Sequence, residues 1–276
     1  MRRTSVFPPE TMFTKRRLLQ ATALLALAPA VRSAQPQIAL ATAINRTARF
    51  RALSQRCAKG YTQMFLNVLP DNAHDVLLTT RQLIQSGFDE LATGWFSTQI
   101  TQQLSATRQE ADALLELLES PPSKTSLASI SAQADKMLLA ANRATESLEA
   151  SARQPAARLV NLAGRQRMLS QRLAKNYFLI AAGLDSKPLR KELSEDKDAF
   201  TKAMTLFKST PLSTPAIHNE LSLGQNQWLF FESSLRNKPD DYGLQTVATT
   251  SERLLEVMNN LTGLYEAALR DLLGSN

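Results

Sequence analysis

Apolar residues recur in steps of three and four along most of the chain. Ile100, Leu104, Thr107, Ala111, Leu114 and Leu118 form one such series, and Leu127, Ile130, Ala134, Met137, Ala141, Ala144 and Leu148 another. This spacing gives a helix one buried stripe. The same series returns 117 positions later, at Ile217, Leu221, Gly224, Trp228, Phe231 and Leu235, then from Leu244 to Tyr265. Breaks fall at Pro70-Asp71-Asn72, Thr93-Gly94 and Ser120 to Ser123 in the first half, and at Gly183 to Pro188, Ser209 to Pro215 and Asn237 to Gly243 in the second. Pro with Asp, Asn or Ser ends one helix and caps the next. Each half therefore predicts four helices of about 20–30 residues, the recipe for an antiparallel bundle.

A closer repeat heads each half. Residues 44–61 and 160–177 share ten of 18 positions at an offset of 116. The expected fold is all-α, two tandem four-helix bundles over residues 38–152 and 156–273. Between them, Ala150 to Ala157 is helix-friendly except for Pro155, so one kinked continuous helix is expected to join the bundles.

Scarce glycine (9 of 276 residues) and abundant Ala, Leu, Gln, Glu and Arg agree with helix. The net charge of +7 suggests nucleic acid, but residues 1–34 hold six Lys/Arg against Glu10 alone, which leaves 26 basic and 24 acidic residues in the body. A body so nearly neutral has little general attraction to a phosphate backbone, and no nucleic-acid partner is expected. Residues 1–34 read instead as an address. Lys15-Arg16-Arg17-Leu18-Leu19 precedes an apolar run to Ala30, followed by small residues near Val31-Arg32-Ser33-Ala34. These are the three parts of a signal peptide, with a twin-arginine character, and residues 12–34 alone make a compact one. The run is shorter than the roughly 18–20 apolar residues of a membrane span, so a soluble periplasmic body without a transmembrane segment is expected.

The two matching windows carry Arg46, Arg49, Arg51, Arg56, Lys59, Arg165, Arg167, Arg172 and Lys175 and no acid. A structural ion-pair surface normally interleaves the signs. On a helix, Thr47, Arg51, Ser54, Ala58 and Tyr61 share one stripe, as do Ala163, Arg167, Ser170, Ala174 and Tyr177. Small residues flank each Arg and Ser, so another helix can come close and the arginines should face it rather than water. A partly buried guanidinium needs an acceptor, and its planar fork suits a planar oxyanion. A helix-end carbonyl, an acid from another helix, or a bound anion would each serve.

Asn161-Leu-Ala-Gly-Arg-Gln-Arg-Met-Leu-Ser-Gln-Arg-Leu-Ala-Lys175 resembles the signature Asn-x-Ala-Gly-x-x-Arg-Met-x-Ser-x-Arg of PilJ/NarX-type sensor domains, found in type IV pili chemotaxis transducers and nitrate/nitrite sensor kinases. The first copy is degenerate: Ala48 stands for the Gly and Ala52 for the Met, while Asn45, Arg51, Ser54 and Arg56 remain. The resemblance implies a four-helix bundle whose first-helix motif meets a counterpart across a pseudo-twofold contact. It gives the role of coordinating nitrate or nitrite to Arg167 and Arg51, close backbone approach to Gly164, and supporting roles to Arg172, Arg56, Ser170 and Ser54. In the family the site forms between subunits. Here one chain can build it, or, if the halves stack end to end, a homodimer is needed. A separate signalling or envelope partner would receive the signal.

No Gly-rich phosphate loop, nucleophile elbow or zinc motif is present, so neither an enzyme nor a cofactor is expected. His74 and His218 sit near helix breaks without a second ligand at metal spacing. Cys57, the single cysteine, excludes an intrachain disulfide and takes the place of Leu173 in the other copy, a core position. Trp95, Trp228, Phe230 and Phe231 read as core or as packing at helix ends. A structural module that docks to an envelope, chemotaxis or pilus partner through the arginines is the alternative to an oxyanion sensor.

Overall fold

The breaks in the apolar pattern fall at or beside the ends of helices. A computed structural model describes residues 37–210, 212 and 214–274; the signal peptide expected over residues 1–34 lies outside the described residues. Eight helices run in order: α1 (Leu40–Phe65), α2 (Pro70–Leu91), α3 (Thr98–Leu117), α4 (Lys124–Ala152), α5 (Pro155–Ala181), α6 (Lys187–Lys208), α7 (Pro215–Ser234) and α8 (Asp241–Gly274). There is no strand among the described residues. Ser97, Ser123, Ser186 and Thr214 cap α3, α4, α6 and α7, each accepting from a backbone N–H of the first turn. No described helix is long and apolar enough to cross a membrane.

Burial separates the helices into inner and outer. Nineteen of 26 residues of α1 and 18 of 27 of α5 are buried, against six of 22 in α2 and five of 22 in α6. A helix buried nearly all round lies inside its protein. α1 packs along α4 and α5, α5 along α1 and α8, while α2 and α3 flank α1 and α4 and α6 and α7 flank α5 and α8. The described residues belong to one compact unit, in which the two sets of four helices lie side by side through α1 against α5. Stacked rings fix the outer helices: Phe50 on Phe88 at 4.2 Å in one set, Phe200 on Trp228 at 4.1 Å in the other. A methyl group on Gly87 would meet the Phe50 ring at 2.9 Å, so the α1–α2 approach depends on its absence.

The expected continuous helix between the halves is not formed. α4 ends at Ala152, Arg153 takes the left-handed conformation (φ 50), and Gln154 is extended before Pro155 begins α5. A proline disfavours the helical region for the residue before it, so the chain reverses instead of bending. Asn161 then donates to Glu149 at 2.5 Å, twelve residues back across the turn. This reversal rules out end-to-end stacking and lays the two motif helices against each other. The aromatic residues also divide. Trp228 and Phe231 are core, but Trp95 in the α2–α3 turn and Phe230 on the outer face of α7 are 87% and 64% exposed.

A non-glycine residue in the left-handed region costs about 1–2 kcal/mol. Arg153→Gly should therefore raise stability by about 1 kcal/mol in urea denaturation, with the slope unchanged. A loss of stability would mean that the Arg153 side chain contributes more than its backbone costs.

Candidate functional site

The small-residue stripes meet as their spacing suggests. Thr47, Arg51, Ser54, Ala58 and Tyr61 of α1 and Ala163, Arg167, Ser170, Ala174 and Tyr177 of α5 are all buried. At the crossing, Gly164 brings the backbones together. A Cβ there would lie 2.8 Å from that of Ala48, 3.1 Å from Arg51 Nη2 and 3.2 Å from Arg167 Nη2. Ala48 is the counterpart of Gly164 in the other repeat, so only one of the two positions has room for a methyl group. Both guanidinium groups converge on this spot, each only 2% exposed.

Their hydrogen bonds are reciprocal. Arg51 Nη2 donates to the Asn161 carbonyl at 3.0 Å, and Arg167 Nη2 to the Asn45 carbonyl at 3.2 Å. Arg51 Nη1 donates to Asn142 Oδ1 at 2.9 Å, and Arg167 Nη1 to Asn259 Oδ1 at 3.4 Å. Asn45 and Asn161, like Asn142 and Asn259, are matching positions of the repeat, so the two halves are related by a pseudo-twofold axis through this crossing. Satisfaction is unequal. Arg51 Nε donates to the Ala48 carbonyl, whereas Arg167 Nε is buried with no partner. A guanidinium has five N–H donors, and Arg167 places only two.

Five of the nine basic motif residues find carboxylates. Arg46 pairs with Glu90 at 2.5 Å, Arg56 and Lys59 with Glu252, Arg172 with Glu192 at 3.3 Å and with Asp196, and Lys175 with Asp135 at 2.9 Å. The other four, Arg49, Arg51, Arg165 and Arg167, have no salt bridge among the described residues. Burial, followed by the nearby Arg165, lowers the pKa of Arg51 to about 10. Burial followed by Arg49, Arg51 and Arg46 pushes Arg167 well below the ordinary arginine range. Crowded like charges with spare donors favour an anion among them.

The structure thus brings Arg51, Arg167 and Gly164 to one point and puts Arg56 and Arg172 into carboxylate pairs to one side. Ser54 and Ser170 donate to the carbonyls of Arg51 and Arg167 at 2.9 and 2.7 Å and accept from Gln55 and Gln171. They brace the helical turn that carries each arginine. Cys57 is buried, and burial pushes its thiol up to about 12, as suits a core residue. His74 and His218 are exposed on the first turns of α2 and α7. Among the described residues no group of His, Cys, Asp or Glu is placed to hold a metal ion.

Sequence reasoning missed Asn142 and Asn259, and the exchange of ion pairs between halves. Lys59 of the first half pairs with Glu252 of the second, and Lys175 of the second with Asp135 of the first. The signal was present at the offset of 117, which sets Asn142 opposite Asn259 and Asp135 opposite Glu252. Burial alone would raise the Glu252 carboxyl, but Lys59 and Arg56 outweigh it and hold the pKa at about 2.

Residues 148–251 match the family described as PilJ, type IV pili methyl-accepting chemotaxis transducer N-terminal domain. The match runs from the end of α4 through α5, α6 and α7 into α8. No curated protein and no solved structure matches the chain.

Two outcomes are expected. Gly164→Ala should cost about 1–3 kcal/mol by overpacking, and adding Ala48→Gly should return part of that loss, a coupling that a double-mutant cycle of denaturation midpoints would detect. Because the Glu252 pKa is depressed in the folded state, its stabilising contribution is whole above pH 4.5 and lost as pH falls towards 2. Glu252→Gln should lower Tm at pH 7 and flatten the fall in Tm across that acid window.

Proposed function

We propose, from the match of residues 148–251 to the PilJ family, that the protein is an exported periplasmic sensor for a planar oxyanion of the nitrate or nitrite kind. The observation that carries this reading is the set of four arginines on α1 and α5 that make no salt bridge, two of them buried at the crossing. Arg167 and Arg51 are the binding residues, and Gly164 keeps the crossing clear of a side chain. The likeness of residues 38–152 to the second half extends the same reading to α1, so that one chain supplies both sides of the site. Binding is non-catalytic and uses no cofactor. An anion between the guanidinium groups relieves their repulsion and takes donors that Arg167 leaves idle. Each arginine also bonds an asparagine on α4 or α8, so any adjustment of the pair is felt on those helices. A separate chemotaxis or pilus signalling protein is the receiver in this scheme.

The second reading, an interaction module without a small ligand, draws on one feature. α7 exposes Leu223, Leu229 and Phe230, where the matching positions of α3 are Ala106, Asp112 and Ala113.

Thermal melting of the purified protein in nitrate, nitrite, sulfate, phosphate and chloride at equal ionic strength separates the two. One specific site gives about 2.7 kcal/mol at a hundredfold excess over Kd. A saturable shift selective for nitrate or nitrite is expected, lost in Arg167→Ala while the helical circular dichroism persists. The absence of any selective shift would favour the interaction module.

A further inference from the structure

The pseudo-twofold axis relates two clefts beside the arginine pair, one between α4 and α5 and one between α1 and α8, and they are unlike. The α4–α5 cleft has a volume of about 440 Å³ and reaches Arg51. That is several times what a four-atom anion fills and lies in the range of small-molecule sites, roughly 300–1,000 Å³. Its counterpart beside α8 is a void of about 20 Å³ lined by Arg49, Ala52 and Leu255. The two sides differ at matched positions. At the positions matching Arg158 and Leu162 stand Thr42, which donates to Glu266 at 2.6 Å, and Arg46, which is tied to Glu90. Glu146 is matched by Gly263. A larger cavity of about 560 Å³ continues on the α8 side past Arg56, Leu255 and Asn259, but it is the α4–α5 cleft that has a guanidinium of the pair, that of Arg51, in its wall.

The lining of the open cleft carries both signs. Arg51 is at its inner end, and Arg158 and Arg165, exposed and without salt bridges, stand one above the other on α5, seven residues apart. Opposite them on α4 are Glu146 and Glu149. Glu146 accepts from Asn142 at 2.7 Å and Glu149 from Asn161 at 2.5 Å. Each glutamate spends one oxygen on this and keeps the other. Leu138, Leu139, Leu162 and Met168 supply the apolar part of the wall. A bare inorganic anion would leave the carboxylates and the apolar wall unused, and a dianion would face the glutamates. We propose that the α4–α5 cleft is a binding site for an apolar amino acid, with its carboxylate on Arg51, its ammonium on Glu146 and Glu149, and its side chain against Leu138, Leu139, Leu162 and Met168. This rests on the reading of the arginine pair as an oxyanion site and names the oxyanion as the carboxylate of a larger molecule. Arg158 and Arg165 draw the carboxylate into the mouth.

Melting of the purified full-length protein is followed with each common L-amino acid. Calorimetry then compares L-leucine with 4-methylpentanoate, which lacks the amine, and with 3-methylbutylamine, which lacks the carboxylate. Leucine or another apolar amino acid is expected to bind at least tenfold more tightly than either truncated form, and nitrate should compete with it. Glu146→Gln with Glu149→Gln keeps acceptors for Asn142 and Asn161 but removes the charge. It should abolish the preference for the amine without unfolding the protein, and Arg165→Ala should weaken carboxylate binding. Nitrate binding with no amino-acid binding would overturn the amino-acid site and leave the oxyanion reading standing. Equal binding of leucine and 4-methylpentanoate, or leucine binding indifferent to nitrate and to the glutamate changes, would also overturn it. If neither nitrate nor any amino acid bound, both readings would fall.

Discussion

Two guanidinium groups pressed against one glycine at the α1–α5 crossing set the terms for the rest of the molecule. Like charges that are buried without a salt bridge are held in place only if the surrounding structure leaves them no alternative. The surroundings here are helix backbones that cannot yield. Gly164 and Ala48 bring α1 and α5 into contact, and the carbonyls of Asn45 and Asn161 accept one donor from each arginine. The price of this arrangement is the idle Nε of Arg167.

Exchange of charge between the halves keeps the crossing closed. Lys59 reaches Glu252 and Lys175 reaches Asp135, each across the pseudo-twofold axis, and Asn45 and Asn161 reach Glu266 and Glu149 in the same crosswise manner. A buried pair of this sort adds little net energy but penalises separation, because each half alone would leave a buried ammonium without its partner. The halves are thus specified as partners, and the reversal at Arg153 to Pro155 makes that partnership intramolecular. Repetition followed by divergence then permits what a symmetric pair cannot have. The α4–α5 cleft reaches Arg51, while the matching positions beside α8 carry Arg46 and Thr42, tied to Glu90 and Glu266.

Much of the fold was legible in the sequence because it depends on local rules. Pro70, Pro188 and Pro215 begin helices or sit in their first turns, and the small residues around Arg51 and Arg167 marked the faces that touch. The direction of the chain after Ala152 was not legible. Pro155 at the start of a helix and Pro155 inside a kinked one look alike until the left-handed Arg153 is seen. Phe230 and Trp95 were misplaced because aromatic character alone does not say which side of a helix or turn faces solvent. Phe230 precedes the buried Phe231 in sequence, yet a step of 100° per residue carries it outward. The partners of the motif, Asn142, Asn259, Asp135 and Glu252, were hidden because only the apolar positions of α4 and α8 had been compared.

Nitrogen-15 labelling of the arginines gives direct access to the buried pair, since a protected Nε–H of a guanidinium in a dry contact is resolved from those in water. On titration with sodium nitrate the resonances that disappear in Arg51→Lys and Arg167→Lys should shift together and saturate, with the larger change at Arg167, whose Nε is unpartnered. If those two signals stay in place while only surface arginines respond, the crossing is a structural contact and no anion enters it.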